Sequence, residues 1–221
     1  NTAIVKPSEM TPATTKIVRV IIEETFAPTY VAVVEGAKET VQTLIYAPVD
    51  YIFFTGSVAV GKIVARAAAE RLTPIALELG GKSPAIVDHT AKIALAAKRI
   101  VWGKFTNAGQ TCVAPDYVLV HRSIADEFVN ACKKALTRFY GKHPEKSKDY
   151  GRIINTRHLD RLSALLQAQQ QQVVHGGAYD RAQCYMAPTL LYDVNFSDPI
   201  MQDEIFGPLL PIIIFDDVKV A

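Results

Sequence analysis

The stretch YIFFTGSVAVGKIVARAAAERLTPIALELGG, Tyr51–Gly81, decides the fold. Its two ends, Tyr51–Gly56 and Pro74–Gly81, are short apolar runs rich in β-formers and bounded by glycine or proline. Between them, Val58–Leu72 places its apolar residues at roughly helical spacing. The same alternation runs back to the first residues. Ala3–Val5 and Tyr30–Gly36 read as strands, whereas Thr11–Phe26 and Ala37–Ile45 read as helices, with Thr11 as N-cap and Pro12 just inside the first of them. The order β-α-β-α-β-α-β predicts an α/β fold. Its parallel sheet would be covered by helices, with ligands bound beyond the carboxyl ends of the strands.

After Gly81 the pattern loosens without changing class. A strand at Pro84–Asp88 leads into a helix at Ala91–Phe105, a polar turn holding Cys112, a strand at Tyr117–Arg122 and a helix at Ser123–Tyr140. A lysine-rich link, Gly141–Gly151, precedes a helix at Arg157–Gln172, and short strands follow near Val173–Gly177, Pro188–Val194 and Leu209–Phe215. We read a second α/β domain beginning close to Gly80, with no internal repeat. The run Gln169–Gln172 is expected to be an exposed helix end.

Composition narrows the partners. Of 221 residues, 49% are hydrophobic and 21% charged, the balance of a globular protein, and no apolar run is long enough to cross a bilayer. The formal charge of +2 comes without a like-charge block, which argues against nucleic acid and makes small molecules the expected partners. Cys112, Cys132 and Cys184 lie far apart and form no CxxC pair, so neither a metal site nor a disulfide framework is expected, and a reducing, cytoplasmic setting fits best. Neither an initiator Met nor a signal-peptide pattern opens the chain, and its last residues follow directly on a strand-like run. Both ends are expected to be cuts within a longer protein.

Three places carry candidate chemistry. In FTGSVAVG, Phe54–Gly61, the Gly56–Ser57 turn leaves N–H groups free at the positive end of a helix, which suits a pyrophosphate. The spacing departs from GxGxxG, and an ordinary tight turn reads the same way. In LELGGKSP, Leu77–Pro84, the carboxylate of Glu78 stands between leucines, where desolvation would raise its pKa toward that of a general base. A structural edge carboxylate is the alternative. Most free cysteines pack as small hydrophobes, and Cys132 and Cys184 are read so. Cys112 follows the small polar turn NAGQT, which lets a ligand approach and favours a thiolate.

Taken together, KPSE (Lys6–Glu9), FTGSVAVG, LELGGKSP, FTNAGQTCVAP (Phe105–Pro115) and EIFGPLLPI (Glu204–Ile212) resemble the NAD(P)-dependent aldehyde dehydrogenase superfamily over essentially the whole chain. LTPIALELGGKSP, WGKFTNAGQTCVAPDYVLV and DYGRIIN are most similar to its class 3 branch, which handles aromatic and medium- or long-chain aliphatic aldehydes. The resemblance implies that residues 1–79 are the C-terminal part of an NAD(P)-binding, Rossmann-like domain, and residues 80–221 a C-terminally truncated catalytic domain. It makes Cys112 the nucleophile and Glu78 the general base. Lys6 and Glu9 would bind the adenosine ribose, Gly56 and Ser57 the pyrophosphate and nicotinamide side, Glu204 the nicotinamide ribose, and Phe206 would pack near the ring. NAD or NADP is the implied cofactor. Glu9 disfavours a 2'-phosphate by charge, yet the class 3 branch often accepts both.

The implied reaction runs through a thiohemiacetal and a thioester on Cys112, followed by hydrolysis. Family members also carry, upstream, a Trp-Asn-aromatic-Pro motif whose Asn is an oxyanion donor; this sequence has none, and its one tryptophan is Trp102. Losing such a donor costs about 2.7–4 kcal/mol of transition-state stabilisation. Two other functions therefore stand beside aldehyde oxidation: a catalytically incomplete cofactor-binding fragment, and a dehydrogenase that acylates coenzyme A, against which Glu78 argues. A homodimeric parent is expected, and some class 3 members carry a C-terminal membrane anchor.

Overall fold

The computed structural model of the chain describes residues 1–219. Contacts divide the chain into two compact units, Asn1–Leu79 and Gly80–Ala221. In the first, strands β1 (Ala3–Val5), β2 (Val31–Val33), β3 (Ile52–Thr55) and β4 (Ile75–Glu78) alternate with helices α1 (Pro12–Thr25), α2 (Lys38–Ile45) and α3 (Val58–Ala69). The order matches the periodicity. The strands form two parallel pairs instead of one four-stranded sheet: β1 with β2, in register from Ala3 opposite Val31, and β3 with β4, from Ile52 opposite Ile75 to Thr55 opposite Glu78. Strands of three or four residues offer short ladders, and among the described residues none joins the two pairs. A small core of Ile45, Val64 and Ala67, flanked by Val41, Ile52, Phe54 and Leu77, holds α2 and α3 against β3 and β4.

The helix starts show where the local reading succeeds and where it does not. Ser57 caps α3, its Oγ accepting from Val60 N–H at 3.4 Å. Thr11 does stand at the boundary of α1 with Pro12 following, but its side chain caps nothing. Its hydroxyl donates to Ser8 O at 3.4 Å, so that oxygen is turned away from the first-turn N–H groups.

The second unit is built on a five-stranded sheet of order β5-β6-β11-β10-β7, with β5 (Pro84–Val87), β6 (Tyr117–His121), β7 (Val173–His175), β10 (Thr189–Tyr192) and β11 (Leu209–Phe215). The first four run parallel, and β7 pairs antiparallel with β10. Val118–Val120 and Leu209–Ile213 are buried without interruption, as central parallel strands covered on both faces must be. Helices α4 (Ile93–Phe105), α5 (Ala125–Tyr140) and α6 (Thr156–Ala168) supply Phe105, Phe128, Leu136, Leu159, Leu162 and Leu166 to this core. Cys132 is buried on α5, where desolvation pushes its thiol up to about 12, so it packs.

Of the glutamine run expected to be an exposed helix end, Gln170 and Gln171 are exposed in a short 3-10 turn after α6, whereas Gln169, at the C-cap of α6, is buried. A hairpin, β8 (Tyr179–Asp180) with β9 (Tyr185–Met186), was not expected at all, its two-residue strands being too short to show a period.

Candidate functional site

The nucleophile candidate is held by the turn before it. Helix α4 ends at Phe105 and a tight 3-10 turn, Thr106–Gly109, follows, with Asn107 and Ala108 both in the left-handed region at φ 52°. Such a backbone is costly for non-glycine residues and persists only where the surroundings impose it. Gln110 imposes it: its Oε1 accepts from Ile154 N–H at 2.9 Å, while its Nε2 donates to Asn107 O and to Arg152 O, each at 3.0 Å. Asn107 returns a bond from Nδ2 to Gln110 O at 3.0 Å. Gly109, at φ 77°, lies so close to Gly207 O that a Cβ would strike it. Cys112 therefore stands exposed on a braced loop, in contrast to buried Cys132.

The Glu204–Gly207 segment packs against the start of the same unit. Glu204 Oε1 accepts from Gly81 N–H at 3.1 Å, and its carboxylate lies where a Cβ of Gly80 would be, so a side chain at Gly80 would displace it. Ile205 is pinned from both sides, its N–H donating to Asp116 Oδ1 at 3.0 Å and its carbonyl accepting from Arg161 at 2.6 Å. The next residue, Phe206, is exposed at φ 46°, a strained backbone beside the nucleophile turn's neighbour Gly207. Three motifs distant in sequence, at Gly80–Lys82, Asn107–Cys112 and Glu204–Gly207, thus come together in the second unit.

Beneath them lies a charge cluster that the sequence did not announce. Asp116 Oδ2 accepts from Lys82 Nζ at 2.6 Å, and Lys104 Nζ stands 4.0 Å from Oδ1. Burial lowers the Lys104 pKa to about 8, with Asp116 opposing the shift. Gln110, Asp116, Lys82 and Lys104 all escaped the sequence reading; an amide two residues before a candidate thiol, in a turn short of regular backbone bonds, was the one available signal.

The remaining candidates belong to the first unit. Lys6 Nζ donates to Glu9 Oε2 at 3.1 Å and to Gly36 O at 3.0 Å, so these two residues do meet. The Glu9 carboxylate is held below its ordinary pKa by its own backbone N–H and by Lys6. Gly56 N–H donates to Glu78 O at 3.0 Å, extending the β3–β4 ladder to the start of α3. Ser57 Oγ accepts within the cap and keeps its proton to donate outward. Glu78, the last residue of β4, is exposed. The desolvation expected from its leucine neighbours does not occur, because alternation along a strand turns Leu77 and Leu79 to the opposite face. Among the described residues no helix is long and apolar enough to cross a membrane.

The sequence model of the aldehyde dehydrogenase family matches residues 1–221. The chain is 53% identical over its full length to 4,4'-diaponeurosporen-aldehyde dehydrogenase of Staphylococcus aureus, covering 48% of that protein. It is 47% identical over 213 residues, 96% of the chain, to the dimeric NADP-preferring aldehyde dehydrogenase of Rattus norvegicus, covering 47% of it. The solved substrate-bound state of Staphylococcus aureus AldH superposes with a TM-score of 0.95 at 53% identity, over 100% of this chain and 48% of that one. The chain spans about half the length of the curated relatives it matches.

Proposed function

Because the chain belongs to the aldehyde dehydrogenase family, we propose that it supplies the nucleophile and much of the cofactor grip of an enzyme oxidising aldehydes to carboxylic acids with NAD or NADP. The observation that carries this reading is Cys112, exposed on a turn braced by Gln110 and adjoined by the Gly80–Gly81 and Glu204–Gly207 segments. Residues 1–79 are read as cofactor-binding and residues 80–221 as catalytic.

The residues present fit a dinucleotide. Lys6 and Glu9 offer a paired donor and acceptor for ribose hydroxyls, and Ser57 opens α3 with the first-turn N–H groups of Val58 and Ala59 beside a hydroxyl that keeps its proton to donate. Glu204 rests where any side chain on Gly80 would stand, and its carboxylate would accept from ribose hydroxyls. The anionic Glu9 repels a 2'-phosphate, whereas Lys6 beside it attracts one, which supports tolerance of both cofactors.

In the reaction, the Cys112 thiolate adds to the aldehyde carbonyl, forming an S–C bond and an oxyanion that N–H donors stabilise. When bound, the nicotinamide would accept the hydride that leaves the adduct's carbon, leaving a thioester on Cys112. Glu78, free of a buried environment, takes a proton from the water that attacks the thioester, and Cys112 leaves as thiolate with the carboxylic acid as product. The substrate is an aromatic or medium- or long-chain aldehyde; the staphylococcal relative's name adds 4,4'-diaponeurosporen-aldehyde to the compounds to test. The rat relative's dimeric description supports a homodimer for the longer protein.

The test is formation of reduced nicotinamide by the full-length protein with benzaldehyde and long-chain aldehydes, without coenzyme A. Turnover yielding the free acid, and abolished in Cys112→Ala, is expected. Turnover surviving that substitution, or requiring coenzyme A, would overturn the reading.

A further inference from the structure

Segments far apart in sequence converge on one buried carboxylate that the reaction does not touch. Asp116 lies between the Cys112 turn and β6 and is 3% exposed. Its Oδ2 accepts from Lys82 Nζ at 2.6 Å and its Oδ1 from Ile205 N–H at 3.0 Å, while its own N–H donates to Ser83 O at 2.8 Å. Lys82 Nζ continues to Asp203 O at 3.0 Å and Ile200 O at 3.3 Å. Lys104, wholly buried at the end of α4, adds a second positive charge 4.0 Å from Oδ1.

A carboxylate buried to this degree depends on such partners for its hydrogen bonds and charge balance, and removing either side leaves a buried polar group uncompensated. The network is therefore a clamp with little slack. What it clamps is informative: Lys82 follows Gly80–Gly81, and Ile205 separates Glu204 from Phe206. Glu204 itself reaches Gly81 N–H at 3.1 Å, so both ends of that contact are tied to Asp116.

We propose that Asp116 is a positioning residue for cofactor binding, acting through Lys82 and Ile205 to set Glu204 and Phe206 against the Gly80–Gly81 turn. The inference rests on the reading of Glu204 and Phe206 as cofactor contacts. Because Gln110 braces the Cys112 turn separately, through Ile154 and Arg152, the clamp governs nucleotide affinity and leaves the thiol's reactivity largely alone.

Two measurements on the full-length protein test this: the Kd for NAD and NADP by calorimetry, and the rate of Cys112 alkylation by iodoacetamide without nucleotide. Glu204→Gln is the reference variant, and Asp116→Ala, Asp116→Asn and Lys82→Met are the probes. Asp116→Ala is expected to raise Kd about tenfold, the scale of a lost charge-assisted hydrogen bond. Lys82→Met should raise it severalfold, and Asp116→Asn, which keeps an acceptor for Ile205 N–H, should recover part of the loss. Alkylation should stay within about twofold of wild type, since the clamp does not include the turn's own bonds. Should Asp116→Ala fail to fold, Asp116→Asn and Lys82→Met carry the test. Unchanged affinity in the probes alongside a raised Kd in Glu204→Gln would overturn this inference alone, as would alkylation changing in step with affinity. Unchanged affinity in Glu204→Gln would overturn the cofactor role of Glu204 first, and the inference with it.

Discussion

The two units hold their candidate residues by different means. In the first, local contacts predominate: Lys6 meets Glu9 three residues on and Ser57 caps Val60 at the same separation, with Lys6 reaching Gly36 O as the long-range exception among the candidate side chains. The strands there are short, the core is small, and Phe53 is 66% exposed on β3. In the second, the site is fixed by bonds across long stretches of chain, such as Gln110 to Ile154, Asp116 to Ile205 and Glu204 to Gly81. Behind them lies a sheet whose central strands are fully buried. The difference follows the tasks proposed for each. The nucleophile follows a turn whose Asn107 and Ala108 stand in the left-handed region, a conformation that only a dense surrounding structure can enforce. Groups that grip a ribose or phosphate can be set by helix starts and neighbouring residues.

The largest effect that separates the units lies in their cores. Phe128→Ala, at a fully buried position on α5, should destabilise the second unit by about 3–5 kcal/mol, whereas Phe53→Ala, at an exposed one, should cost within about 0.5 kcal/mol. Urea unfolding of the two variants measures this; comparable losses would erase the contrast.

A smaller effect separates the braces from the caps. Gln110→Ala strips Ile154 N–H of its acceptor, Arg152 O of a donor and Asn107 O of one of its two donors, at a cost of about 1–3 kcal/mol, and should change the rate of Cys112 alkylation. Ser57→Ala should cost about 1 kcal/mol or less and leave that rate unchanged. Equal effects on alkylation would mean that the turn is not held by Gln110.

Lys104 gives the second unit a pH signature. Facing Asp116, Lys82 and Glu204, it has a folded pKa of about 8 against an ordinary 10.5. Between those values the unfolded chain binds the extra proton, so this residue's contribution to stability rises with pH, by up to about 1.4 kcal/mol per unit. Lys104→Met should remove that rise. Identical pH profiles for wild type and variant from pH 8 to 10 would contradict it.

The same contrast explains what was legible in the sequence. Strand–helix alternation through Leu79 and the main elements after it were readable because each shows its own period, and Lys6, Glu9, Gly56 and Ser57 lie within short motifs. The clamp around Asp116 was not readable, since its partners sit 34 and 89 residues away and nothing local marks a charge destined for burial. Glu78 shows the reverse error: its leucine neighbours suggested burial, but alternation turned the carboxylate outward. The pairing of β1 with β2 and of β3 with β4, in place of one sheet, likewise depends on tertiary arrangement and not on the period of any strand.

In the proposed reaction Cys112 carries the substrate as a thioester. The most direct test is peptide mass spectrometry after acid quenching of full-length Glu78→Gln, in which hydrolysis is slowed, mixed with NAD or NADP and a long-chain aldehyde. An acyl group on the Cys112 peptide, with Cys132 and Cys184 unmodified, is the predicted result; turnover with Cys112 unmodified, or acylation at Cys184 instead, would contradict it.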